Sequence, residues 1–179
     1  MSGIVTDNVG RSSGLLKSAA GGGGKVLQVL QTVKTDTFTT TSTSYTDVTG
    51  MSVTITPSST SSKILVTAFI GSYSNTTNDQ GTDIQLAGTS GVLAFVGDAA
   101  GSRRRASIGT GRIAADTKMI GLNGTINFLD SPNTTSATTY KVQMVVSGGT
   151  GTFNRNGEDL DTVYRPRTAS SITVMEIGV

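Results

Sequence analysis

The chain has 179 residues, with 14 basic and 12 acidic side chains, 23 glycines, no histidine and no cysteine. That length suffices for one domain with a core, or one domain plus an arm, and a net charge of +2 is too small by itself to imply nucleic-acid binding. The missing residue types remove the commonest general base, the thiolate nucleophile, disulfides and thiolate metal sites.

The first stretch, Met1 to Ala20, carries scattered apolar residues separated by Gly10 and Gly14. No helical or strand period survives there for more than one turn. It lacks a basic region followed by a continuous apolar run, so it does not read as a signal peptide. Gly21 to Gly24 form a flexible joint. Residues 1–24 therefore read as an arm and linker, and residues 25–179 as a head. Ile4, Val5, Val9, Leu15 and Leu16 are the candidate anchors by which the arm attaches to a partner, since extended segments that order on binding lay separated side chains into pockets.

After the glycines the pattern is that of short strands. KVLQVLQTV (Lys25 to Val33) comes first, then a Thr/Ser-rich connection to Tyr45. In GMSVTITP, Met51, Val53 and Ile55 face one way and Ser52, Thr54 and Thr56 the other. Pro57 closes that run. KILVTAFIGSYS is apolar on both faces, which predicts a central strand covered on each side. TDIQLAG, GVLAFVG, RRRASIGTGRIA, KMIGLNGTINFLD and YKVQMVVSG follow, each bounded by Gly, Asn, Asp or Pro. About eight strands, dense turn signals and no helix of three turns predict an all-β, two-sheet antiparallel sandwich of jelly-roll type. No window approaches the ~18 apolar residues of a membrane helix, which argues against membrane insertion.

The final run, SSITVMEIGV, places Ile172 and Val174 on one face and Met175, Ile177 and Val179 on the other. A strand apolar on both faces must be covered twice, either as a central strand or at a subunit interface. Met175, Ile177 and Val179 are thus the candidate oligomer interface. Glu176 among them points to an oligomer axis or a buried pair.

Catalytic patterns are missing. GTSG at Gly88 to Gly91 lacks the nucleophile-elbow spacing. GGGGKV fails as a phosphate loop, because Ala19 stands where Gly is needed and Val26 where a hydroxyl should hold magnesium. GTGRIA (Gly109 to Ala114) has no βαβ unit around it. No catalytic, cofactor-binding or metal site is assigned. Glu158, Asp159 and Asp161 cluster in GEDLDT, but without cation-loop spacing they read as a solvated acidic loop. Arg103, Arg104 and Arg105 form the candidate surface-binding site, for a phosphate, lipopolysaccharide or an acidic neighbour.

Several phrases carry a resemblance that spans nearly the whole chain in order: MSGIVTDNVGRSSGL, GGGGKVLQVLQ, TDVTGMSVTITPSSTSSKILV, LDSPNTTSATTYKVQ and SSITVMEIG. Together they resemble virion structural proteins of marine tailed bacteriophages, of fibre, appendage or decoration type. The resemblance implies a β-sandwich homotrimer whose N-terminal arm is fixed to other virion proteins of tail, neck or capsid. It implies manufacture in the bacterial host cytoplasm, release by lysis, a place in the virion and contact with a host cell-surface glycan. It supplies no catalytic residue and no cofactor. A capsid decoration protein is one alternative. A free carbohydrate-binding or carbohydrate-degrading module is another, of a different class.

Overall fold

The computed structural model describes residues 24–93, 95–111 and 120–178. Eleven strands occur among them, in chain order: β1 (Lys25–Lys34), β2 (Phe38–Thr40), β3 (Thr46–Ile55), β4 (Lys63–Asn75), β5 (Thr82–Gly88), β6 (Gly91–Val92), β7 (Ile108–Gly109), β8 (Leu122–Asp130), β9 (Thr138–Val146), β10 (Gly151–Phe153) and β11 (Ser170–Gly178). The described residues contain no helix, and so none long and apolar enough to cross a membrane.

The strands form two antiparallel sheets, so the chain is a β-sandwich, as its turn-rich strand pattern predicts. In the first sheet β4 is central. β8 pairs along one edge of it, while β11 takes the other edge over Lys63–Phe69 and β10 takes it over Tyr73–Asn75. β1 lies outside β11 as an edge strand, and β2 lies outside β10. The second sheet runs β3-β9-β5, with the two short strands β6 and β7 pairing to β5. The predicted runs did not include β2 and β10, three residues each, and GVLAFVG contributes only Gly91–Val92 among its described residues. Pieces that short carry no period that a sequence pattern could register. RRRASIGTGRIA contributes Ile108–Gly109 alone among its described residues.

The core lies between the sheets. Ile64, Val66, Ala68 and Ile70 of β4, Ile172 and Val174 of β11 and Ile126 of β8 face Met51 and Ile55 of β3, Val142 and Met144 of β9 and Ile84 and Leu86 of β5. All are at most 1% exposed. The alternation in GMSVTITP is realised in full: Met51, Val53 and Ile55 are buried, while Ser52, Thr54 and Thr56 are exposed. Burying each such aliphatic side chain stabilises the fold by about 1.5–3 kcal/mol.

Two polar devices hold the periphery. Asn154, fully buried just after β10, adopts φ +61°, a left-handed conformation that Asn tolerates better than most residues. Its Nδ2 donates to Lys34 O (2.9 Å) and Asp36 O (3.0 Å), and its Oδ1 accepts from Ser170 Oγ at 2.5 Å. The other device is Glu176. It points inward with Val174 and Ile172, fully buried, and accepts from Gln28 Nε2 (2.6 Å), Ser58 N (2.7 Å) and Ser58 Oγ (2.6 Å). The alternatives for Glu176 resolve in favour of burial within one chain, with neutral donors in place of an ion-pair partner. Those donors hold its carboxyl down at about 2 against the opposing effect of burial.

Candidate assembly surface

The two sheets differ in what they show to solvent. On the outer face of the second sheet, registered neighbours are polar and bonded to one another. Thr54 shares a 2.8 Å hydrogen bond with Thr139, and Gln85 Nε2 donates to Gln143 Oε1 at 2.8 Å. Asp47 accepts from Lys141 Nζ at 2.8 Å and from Gln143 Nε2 at 2.7 Å. These two bonds hold the Asp47 carboxyl below its ordinary value. This polar network occupies one part of the face; Gln85 within it and Ala87 and Val145 beside it are buried, at 4%, 2% and 0% exposed.

The outer face of the first sheet is built differently. Register places Val29, Met175, Leu65 and Leu129 side by side on β1, β11, β4 and β8, an apolar row crossing four strands. Beside it runs a polar row of Gln31, Thr173, Thr67 and Asn127, in which Gln31 Nε2 donates to Thr173 Oγ1 (2.8 Å) and Thr67 Oγ1 to Asn127 Oδ1 (2.9 Å). Val26 with Ile177, and Val33 with Ser171 and Phe69, flank these two rows. Val26, Val29, Val33, Phe69 and Leu129 are each 46–56% exposed. Lys63, at one corner and bonded to Ser131 Oγ, is the one charged side chain in these rows.

This arrangement qualifies an expectation. KILVTAFIGSYS does supply the central strand, but among the described residues only its Ile64–Val66–Ala68–Ile70 face is fully covered; on the other face Leu65 and Thr67 are half-buried and Phe69 is exposed. The same holds for β11. Met175 and Ile177 lie on the outer face, opposite Ile172 and Val174, and are half-buried. Val179 and the five arm residues Ile4, Val5, Val9, Leu15 and Leu16 lie outside the described residues. β1, long and alternating only weakly, puts Val26, Val29 and Val33 on the open face at the sheet edge; its apolar count gave no sign that they would be exposed.

The three consecutive arginines do not act as one cluster. Arg104 Nε lies 3.6 Å from Asp83 Oδ2, whose carboxyl burial pushes up while Arg104 pulls it down. Arg105 Nε donates to Gly97 O at 2.5 Å, and the Arg105 carbonyl accepts from Tyr45 OH at 2.8 Å. Burial raises the Tyr45 phenol to about 12. Arg103 is exposed. Two of the three guanidinium groups are thus engaged in holding the 97–109 segment.

The acidic loop is likewise engaged. Glu158 meets Arg165 at 2.6 Å, and Asp159 meets Arg167 at 2.5 Å and Arg155 at 3.8 Å. These pairs fasten the base of the β10–β11 loop, whose tip exposes Leu160 (57%), Val163 (90%) and Tyr164 (82%). Sequence reading registered the charges and passed over the apolar residues between them.

A cavity of about 410 Å³ opens at one end of the sandwich, lined by Thr89, Ser90, Leu93, Asp130, Thr134 and Ser136 among others. Asp130 Oδ2 accepts there from the buried Tyr140 OH at 2.6 Å. Among the described residues no group of three or more acidic side chains is placed to hold a metal ion.

The class this geometry defines is an antiparallel β-sandwich whose first sheet carries a half-exposed apolar row on its outer face. No protein-family model and no curated protein sequence matches the chain. Among solved structures the chain is similar to the infectious bursal disease virus VP2 subviral particle, at 14% identity and a TM-score of 0.38. That alignment covers 85% of this chain and 38% of the other. It is also similar to the infectious bursal disease virus Gt strain structure, at 13% identity and a TM-score of 0.36, covering 84% of this chain and 42% of the other. The chain therefore spans about two fifths of the length of each. The architecture rests on its own strands and registers.

Proposed function

We propose that the protein is a structural subunit of a virion, built as a homotrimer through its head and fixed to the particle by its arm. The observation that carries this reading is the apolar outer face of the first sheet, with Met175 and Ile177 at its centre and edge. A row of half-exposed apolar side chains crossing four strands marks an interaction surface more readily than singly scattered apolar residues do, and subunits of assemblies bury such rows against one another. The phage-like phrases of the sequence supply the setting, a virion assembled in a bacterial cytoplasm. In this reading Ile4, Val5, Val9, Leu15 and Leu16 seat the arm on tail, neck or capsid proteins. The head then stands outward as a fibre, appendage or decoration, with Arg103 among the residues available to a host glycan. The reading assigns no catalytic residue.

Two measurements test it. Light scattering should give a trimer that Met175→Asp or Ile177→Asp dissociates without loss of the β spectrum; a concentration-independent wild-type monomer would refute assembly. Mass spectrometry of purified particles should find the chain. Its absence from particles would remove the virion role.

The cavity beside Asp130 favours a second reading, a free carbohydrate-binding module, because hydroxyl and carboxylate side chains line a space that holds one sugar ring. That reading predicts a monomer and saturable shifts of amides in the 130–138 segment when simple sugars are titrated.

A further inference from the structure

The tip of the β10–β11 loop is another apolar feature that the described residues leave in water, and its base is tied by ion pairs and hydrogen bonds. Arg155, with its side chain 13% exposed, donates to Asn156 O and Gly157 O and reaches Asp159. Arg165, 11% exposed, closes on Glu158, and Arg167 on Asp159. Arg165 N also donates to Thr162 O at 3.1 Å, and Thr162 N to Leu160 O at 2.9 Å. Leu160, Val163 and Tyr164 therefore project from a braced turn. A rigid apolar tip with an aromatic side chain has the character of an interface anchor, since little conformational freedom remains to be lost on binding. The loop springs from the Ser171–Phe69 end of the first sheet, where its returning limb packs against Gly71 so closely that a Cβ there would meet the Ala169 carbonyl.

We infer that this tip docks on the outer face of the first sheet of a neighbouring copy, with Val163 and Tyr164 across the Val29–Met175–Leu65–Leu129 row; the inference rests on the assembly reading above. Three observations single out a second copy as the occupant. The tip cannot be serving its own face, because Val163 and Tyr164 are 90% and 82% exposed. Charge does not oppose the contact: the loop balances Arg155, Arg165 and Arg167 against Glu158, Asp159 and Asp161, and Lys63 is the one charged side chain in the described rows of the face. Area is the third. The exposed apolar side chains of the face offer roughly 500 Å², below what a specific contact needs, and the tip adds roughly 400 Å². Together with the interleaved polar row they approach the ~1,000 Å² floor of specific interfaces. A contact between two different patches is heterologous, and one that closes gives a ring. Each subunit would then give its tip to one neighbour and its face to the other.

The chain lacks cysteine, so single-cysteine variants report the contact directly. Val163→Cys protein is mixed with Leu129→Cys protein, the subunits are exchanged and mild oxidant is added. The expected product is the mixed disulfide, at least ~10-fold above either like-with-like disulfide; a statistical mixture would overturn the inference. Val163→Ser with Tyr164→Ser should also weaken association roughly 30-fold or more, the loss expected for an interface anchor, with an unchanged circular dichroism spectrum. If Met175→Asp dissociates the oligomer while the tip variant leaves it intact, tip docking is wrong and assembly through the face stands. Should wild type be monomeric at every concentration, both fall.

Discussion

Glu176→Gln exchanges a buried carboxylate for its nearest neutral shape and tests how the open edge of the first sheet is held. Glu176 Oε1 takes two donors from Ser58, and Oε2 takes Gln28 Nε2, which also donates to Thr56 O at 2.8 Å. The side chain thereby joins β1, β11 and the turn after β3. In the variant, one amide oxygen can still accept from Ser58, but the new NH2 group faces the Gln28 NH2 group. Turning the Gln28 amide over would relieve that clash and lose the bond to Thr56. One charge-assisted hydrogen bond is removed and two become neutral. A bond to a charged group contributes about 1.5–3 kcal/mol, so the loss should be about 2 kcal/mol. For a head of this size that lowers Tm by roughly 4–8 °C.

The pH dependence separates this account from a merely looser packing. Folded Glu176 titrates at about 2, below its ordinary 4.5. A lowered carboxyl contributes stability that is fully present above the unfolded value and is lost as pH falls through the folded one. The advantage of wild type over Glu176→Gln should therefore be constant from pH 7 down to about 5 and shrink between 4.5 and 2. Urea unfolding of both proteins at pH 7, 4.5 and 3, at one protein concentration, measures that difference. A gap that stays constant down to pH 3, or a variant as stable as wild type at pH 7, would refute the reasoning.

Two further predictions follow from the same geometry and a third from the sequence of the arm. Met175→Asp should leave the subunit folded, because its side chain faces outward, whereas Ile172→Asp on the opposite face of the same strand should abolish the cooperative thermal transition. Asn154→Gly keeps the left-handed backbone but strands the Lys34 and Asp36 carbonyls, which should lower stability by about 1–3 kcal/mol in urea titrations. Deleting residues 1–20 should give an oligomeric head with an unchanged β spectrum that no longer joins particles; normal copy number in the particle would place attachment elsewhere.

The sandwich was legible where strands are long and one-sided. GMSVTITP gave its facing because every second residue is apolar and each sits on one side of one sheet. Ile172 and Val174 separated from Met175 and Ile177 for the same reason. The layer assignment of those second faces was not legible, since an apolar residue shows the same letter whether a sheet or water lies beyond it. The β1 valines show this most plainly, being apolar and yet about half exposed. Long-range partners were equally hidden: nothing near Glu176 in the chain announces Gln28 or Ser58, 148 and 118 residues away.

The loop that sequence reading set aside is, on physical grounds, the more informative part of the chain. Its charges drew attention as an acidic cluster, but each of Glu158 and Asp159 already has an arginine within 2.6 Å. Surface ion pairs of this kind contribute little stability, about 0–1 kcal/mol each. Their effect here is on shape. The arginine pairs, with the backbone bonds Arg165 N to Thr162 O and Thr162 N to Leu160 O, set the turn from which Leu160, Val163 and Tyr164 project. The same holds for the outer face of the first sheet, where Gln31–Thr173 and Thr67–Asn127 hydrogen bonds satisfy the polar row sideways and leave the apolar row flat and accessible. In both places local polar bonds hold apolar side chains outward, a use of hydrogen bonds that stabilises a complex more than it stabilises the lone chain.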